Sequence, residues 1–181
     1  MTIIIEEDET PEFTVDNVEG GLRTLVYTGN LSFSASWLSY LDRYPDFRIV
    51  ESFPTVTLTP FHSRVNQFGL DAAWLVGGFD FRAEGALTLT ADTEGTDDGI
   101  KNSSLGGVVQ GSRSFWGGMI TASLAWAPRY VFDHAAVTAG GAATADKLAE
   151  YNGQAYAFEQ TGSLRLAGKF LGETLQPEAL F

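Results

Sequence analysis

Alternate residues of the stretch FDFRAEGALTLT, residues 79–90, fall into two chemically opposed sets. Phe79, Phe81, Ala83, Gly85, Leu87 and Leu89 make one set; Asp80, Arg82, Glu84, Ala86, Thr88 and Thr90 make the other. In an extended strand successive side chains point to opposite faces, so one face is apolar and the other carries three charges. The stretch is also about twice the usual strand length of five or six residues. Long strands with one greasy and one charged face suit a sheet that meets lipid on one side and water on the other.

Period two continues on both sides of this stretch. Phe68, Leu70, Ala72, Trp74 and Val76 alternate with smaller or polar residues, and only Gly77-Gly78 separates them from Phe79. Two glycines between two alternating runs predict a two-residue hairpin turn. Leu31, Phe33, Ala35 and Trp37 alternate with Ser32, Ser34 and Ser36, and Gly29-Asn30 joins them to a weaker strand near 21–28. Ile120, Ala122, Leu124 and Trp126 form a further run, joined through Trp116-Gly117 to a partner near 104–115. That partner puts Arg113 on one face with Val109, Gly111 and Phe115, which predicts a bulge or a reversed face there. Leu164, Leu166, Gly168 and Phe170 alternate with Arg165, Ala167 and Lys169, and Gly172-Glu173 is expected to turn into a last short strand from Thr174.

The connections alternate as well. Turns at 29–30, 77–78, 116–117 and 172–173 are short, whereas 43–61, 92–103 and 132–154 are long and polar or irregular. In a meander, odd and even connections lie at opposite ends of the sheet. Short turns at one end and long loops at the other is the arrangement of an outer-membrane barrel. Within the longest loop, ATADKLAEYNG (143–153) predicts a short helix that decorates the loop.

Composition excludes several alternatives. No apolar run approaches the ~18 residues of a membrane-spanning helix, which leaves a barrel open. The net charge is −12, and no Arg adjoins another base, so nucleic acid is not an expected partner. There are no cysteines, hence no disulfide, thiolate metal site or cysteine nucleophile. Residues 1–20 hold seven carboxylates and no base, and are expected to be a solvated, disordered segment ahead of a barrel at 21–181. MTIIIEEDE lacks the basic and apolar regions of a signal peptide, as an internal fragment or a processed chain would.

No residue makes a convincing catalytic centre, and no cofactor or metal is expected. His62 and His134 have no ligand partner at i+2 or i+4. Asp92, Glu94, Asp97 and Asp98 do not match the calcium-loop spacing. None of the glycine pairs, including Gly140-Gly141, belongs to a phosphate loop, and no Ser lies in GxSxG. The candidate residues are the charges on the polar faces: Asp71, Asp80, Arg82, Glu84, Arg165 and Lys169. In a pore they would line the lumen and set its charge selectivity. The plainer reading is a set of solvated, mutually paired strand charges. The lipid-facing set would be Phe68, Leu70, Trp74, Phe79, Phe81, Leu87, Leu89, Ile120, Leu124, Trp126, Leu164, Leu166 and Phe170. Trp37, Trp74 and Trp126 are expected near strand ends, as in an interfacial girdle.

PTVTLTPFHSRVNQFGLDAAWLVGGFDFRAEGALTL resembles the mid-barrel segment of large Gram-negative outer-membrane β-barrels of the porin-like and alginate-export-like kind. SRSFWGGMITASLAWAPRYV is similar to a following hairpin and GSLRLAGKFLGETLQPE to a later one, so the likeness covers about residues 20–176. It implies a fragment of a larger barrel, in contact with outer-membrane lipid, with passive transport as its role. The expected fold is all-β: an antiparallel up-and-down meander of about eight long strands, a complete or partial transmembrane β-barrel. The remainder of a larger barrel or a homo-oligomer would complete it. Two alternatives stay open: a soluble or secreted lipocalin-like barrel with the apolar set inside, and a structural outer-membrane barrel that conducts nothing.

Overall fold

Alternating chemistry and two-residue turns produce long antiparallel strands. The computed structural model describes residues 2–7, 11, 14, 17–97, 99–134, 149–171 and 174–181. Its strands in chain order are β1 (Thr2–Ile5), β2 (Gly20–Thr28), β3 (Leu31–Leu41), β4 (Asp46–Ser52), β5 (Thr55–Phe61), β6 (Arg64–Val76), β7 (Phe79–Leu89), β8 (Ser104–Phe115), β9 (Ile120–Val131), β10 (Phe158–Gly168) and β11 (Glu178–Leu180). Eight of them form one sheet in the order β11-β10-β9-β8-β7-β6-β3-β2, with β2 and β11 at its edges. Every neighbouring pair in it is antiparallel. The expected meander is therefore present, with seven long strands and a three-residue eighth.

Gly77 and Gly78 show how one turn sets the register. Both have positive φ, 57° and 80°, as a two-residue turn matched to strand twist requires. Val76 then pairs with Phe79, and the ladder runs to Asn66–Leu89 without a slip. Between β8 and β9 the register is equally constant, from Ser104–Val131 to Phe115–Ile120. The bulge expected near Arg113 is absent; Arg113 lies on the apolar face. Pairs are missing only at Gly107 and Val108, opposite Pro128 and Ala127, because Pro128 has no N–H to give the ladder.

Two segments expected to be irregular are strands. Residues 46–61, inside the predicted loop 43–61, form the β4–β5 hairpin, and β5 pairs in parallel with β1. β5 reads TVTLTPF, with Val56, Leu58 and Pro60 buried and its other residues half-buried. β1 falls in the segment expected to be disordered: its three Ile residues suit a strand, and β5 offers them a partner. Much of the remaining acidic stretch, the turn at Gly172-Glu173, Asp98 and Gly140-Gly141 lie outside the described residues. The third turn, at Trp116–Gly118, has positive φ at all three residues, 49°, 67° and 93°.

Burial is concentrated at the long-loop end. Phe47, Val56 and Leu58 form a cluster, and the Phe47 ring meets the Tyr151 ring edge-on at 5.5 Å. Phe47 N donates to Gly99 O at 2.9 Å, and a Cβ on Gly99 would overlap that strand's backbone. Gln154, fully buried, donates to Asn102 O, and Asn102 donates to Phe132 O. The insertion between β3 and β6, the loop before β8 and residues 149–157 are thus knitted into one cap. Only residues 149–153 of the predicted helix segment are described; 149–151 are helical, and they pack into the cap instead of decorating the loop. The cap also buries Val65, Ser104 and Val131, the last positions of β6, β8 and β9 on the charged face.

Candidate functional site

The register sorts the sheet into two faces along its whole width. At the loop end of the apolar face, Leu22, Trp37, Phe68, Leu87, Leu105, Tyr130 and Phe158 stand in one cross-strand row. Nearer the turns a second row runs Leu31, Trp74, Phe81, Gly111, Leu124 and Leu164. The rows are about 20 Å apart along the strands at ~3.3 Å per residue. Between them stand mainly small or aliphatic residues, such as Ala35, Leu70 and Gly85. Trp37 and Trp74 lie in the two rows, but of the three tryptophans expected near strand ends only Trp74 is there; Trp37 and Trp126 are mid-strand, because β3 continues to Leu41 and β9 to Val131. The indole N–H groups of Trp37 and Trp126 donate to Asn66 Oδ1 and Gln160 Oε1, at 3.3 and 3.0 Å. Phe170 lies beyond β10 and bridges to Leu175.

This face is open. Leu22 is 75% exposed, Leu70 68% and Leu124 63%. Exposed apolar side chains continue across seven strands, from Leu22 on β2 to Leu164 on β10, a breadth that marks an interaction surface.

The other face supplies most of the lining of a groove of about 870 Å³ to which β2, β3, β6, β7 and β8 all contribute. An ion pair crosses it. Arg23 on β2 reaches over β3 to Asp71 on β6, Nη2 to Oδ2 at 3.1 Å. Ser34, buried on β3, links them, accepting from Arg23 Nε at 3.1 Å and donating to Asp71 Oδ2. Glu84 stands directly opposite Asp71 in the β6–β7 ladder. Two like charges opposite each other repel unless one is compensated. Arg23 compensates Asp71, while Glu84 makes no ion pair or hydrogen bond among the described residues and acts on Arg82 only through space.

Of the six candidate residues, the groove brings together Asp71 and Glu84. Asp80 and Arg82 share their face nearer the turns and pair with each other at 3.1 Å, at an exposed site. Arg165 makes a two-pronged pair with Glu178 on β11, at 2.7 and 2.9 Å. Lys169 follows the end of β10 at the turn side, its N–H on Met119 O. Arg23 and Ser34 were not candidates. Their alternation within β2 and β3 places them on the polar face, but their link to Asp71 depends on β3 pairing with β6 across the inserted hairpin. Among the described residues no group of three or more His, Asp or Glu side chains is placed to hold a metal ion.

Comparison with protein-family models, with curated proteins and with solved structures returns no match for this chain.

Proposed function

We propose that this chain forms a wall of an outer-membrane β-barrel of the porin or channel type, its apolar face on lipid and its groove on a water-filled lumen. One observation carries the reading: a single register separates an exposed apolar face, bordered by two aromatic-containing rows, from a face that carries the strand charges. Strand length agrees with it. β7 has eleven residues, about 36 Å, which spans ~25 Å when tilted by ~45°. The edges set a requirement, since an open sheet edge is not tolerated against hydrocarbon. β2 and the β10–β11 side would be completed by further strands of a larger barrel or by another copy. The lipocalin-like alternative needs the apolar set enclosed, and its exposure weighs against that.

Reconstitution into vesicles tests the proposal. The expected result is a β-rich, protease-protected chain that floats with the lipid. In planar bilayers the same preparation should give conductance steps favouring cations, with Glu84→Gln lowering that preference because the groove loses a carboxylate. Insertion without conductance would remove the channel role and leave a structural barrel. A chain that stays in solution without detergent would overturn the lipid assignment altogether.

A further inference from the structure

The turn-side row of the apolar face has one break. Between Phe81 on β7 and Leu124 on β9 stands Gly111, with no side chain. The break opens a cleft of about 450 Å³ along β8, walled by Phe79 and Phe81 on one side and Leu124, Trp126 and Leu164 on the other. Phe79 and Phe81 are stacked, centroids 5.5 Å apart, and form a flat wall. At the turn end of the cleft lies Arg113, its guanidinium 4.5 Å from the Phe79 ring centroid and 5.5 Å from that of Phe115.

Arg113 is out of keeping with the face it occupies. Its ladder neighbours there are Phe79 and Ala122. It has no carboxylate partner among the described residues; Asp80, next in sequence to Phe79, is on the other face and pairs with Arg82. Ring contacts use the flat side of a guanidinium and leave the N–H donors at its rim available. A cation two residues from a strand end, beside an apolar cleft, complements a ligand with an anionic head and a long apolar tail.

We propose that this cleft binds one anionic phospholipid, with an acyl chain over Gly111 and the phosphate on Arg113. The site rests on the membrane reading above, because only a lipid-facing surface offers it that ligand. A zwitterionic lipid has the same phosphate but carries its own compensating cation. The site therefore discriminates by net headgroup charge. One basic residue near an anionic headgroup contributes about 1 kcal/mol, a factor of about five in occupancy.

Native mass spectrometry of the full chain in detergent, titrated with phosphatidylglycerol, phosphatidylcholine or inorganic phosphate, tests it. Phosphatidylglycerol is expected to occupy one site about fivefold better than phosphatidylcholine. Arg113→Gln should bring the two lipids to parity, and Arg113→Lys should restore part of the preference. Gly111→Leu fills the cleft and should lower occupancy by both lipids. Gly111→Ala, whose Cβ comes within 3.3 Å of the Phe81 ring, is the smaller version should the larger one not fold. Equal occupancy by both lipids, or a preference unchanged in Arg113→Gln, overturns the site while vesicle insertion stands. Displacement of the lipid by inorganic phosphate alone shows an anion site without a lipid tail and overturns it as well. Failure of the wild-type chain to enter vesicles removes the membrane reading and the site together.

Discussion

Replacing Lys101 by Met is expected to loosen the cap by about 3–5 kcal/mol while the large sheet keeps its hydrogen bonds. Lys101 Nζ lies 3.0 Å from Asp42 Oδ2 and 3.1 Å from Asp46 Oδ1, and donates to Tyr44 O at 2.6 Å. Asp46 is 2% exposed, so Met at position 101 leaves a buried carboxylate facing Asp42 without a counter-charge. A methionine of similar length keeps the packing of the stem, so the loss reports charge. The structural consequence is local, because this one ammonium joins the insertion between β3 and β6 to the loop before β8. Hydrogen exchange resolved by residue should show β4 and β5 amides losing protection while β6 and β7 amides keep theirs. Pairing the change with Asp46→Asn should recover much of the loss. Unaltered protection of β4 in Lys101→Met would mean that the cap does not depend on the Lys101 ammonium.

The second large effect belongs to the apolar face. Leu70 stands between the two aromatic-containing rows, and Leu70→Arg is expected to cost about 2–4 kcal/mol in a bilayer, the penalty for a cation near the midplane of a barrel's outer surface. Thr161→Arg, about level with Leu70 but on the polar face, is expected to cost less than about 1 kcal/mol. Denaturant titration of the vesicle-bound protein, followed by tryptophan fluorescence, measures both. The contrast between the two matters more than either value. Equal costs would mean that the faces do not see different solvents, and the assignment of lipid and water to them would fall.

Strands whose two faces differ and whose turns are two residues long were readable directly: 31–38, 68–76 and 79–90 needed nothing beyond period two. The β4–β5 hairpin was not, although TVTLTPF alternates, because Pro54 and Pro60 both argue against a strand. Pro54 lies in the turn between β4 and β5, and Pro60 lies past Leu58, the last β5 residue that pairs with β1. β1 was hidden for another reason: three consecutive Ile residues have no period, and the carboxylates after them read as a solvated tail. In the site, the faces of Asp71 and Glu84 were legible from alternation. The Arg23–Ser34–Asp71 link was not, because it joins three strands, two of which are separated in sequence by the insertion. Arg113 was visible as an anomaly whose cause was misjudged; a regular strand carries it, and the surrounding aromatic rings accommodate the charge.

The unbroken register from β2 to β10 also limits how such a chain can vary in length. Losing one residue inside β7 would exchange the faces of every residue beyond it, so that a loss at Ala83 would send Glu84 to the apolar face and Leu87 to the charged one. Losing two would preserve the faces and only shift the pairing. The connections that feed the cap face no such parity rule. Related chains are therefore expected to gain and lose residues freely between 42 and 63 or between 132 and 157, and to change their long strands only in steps of two.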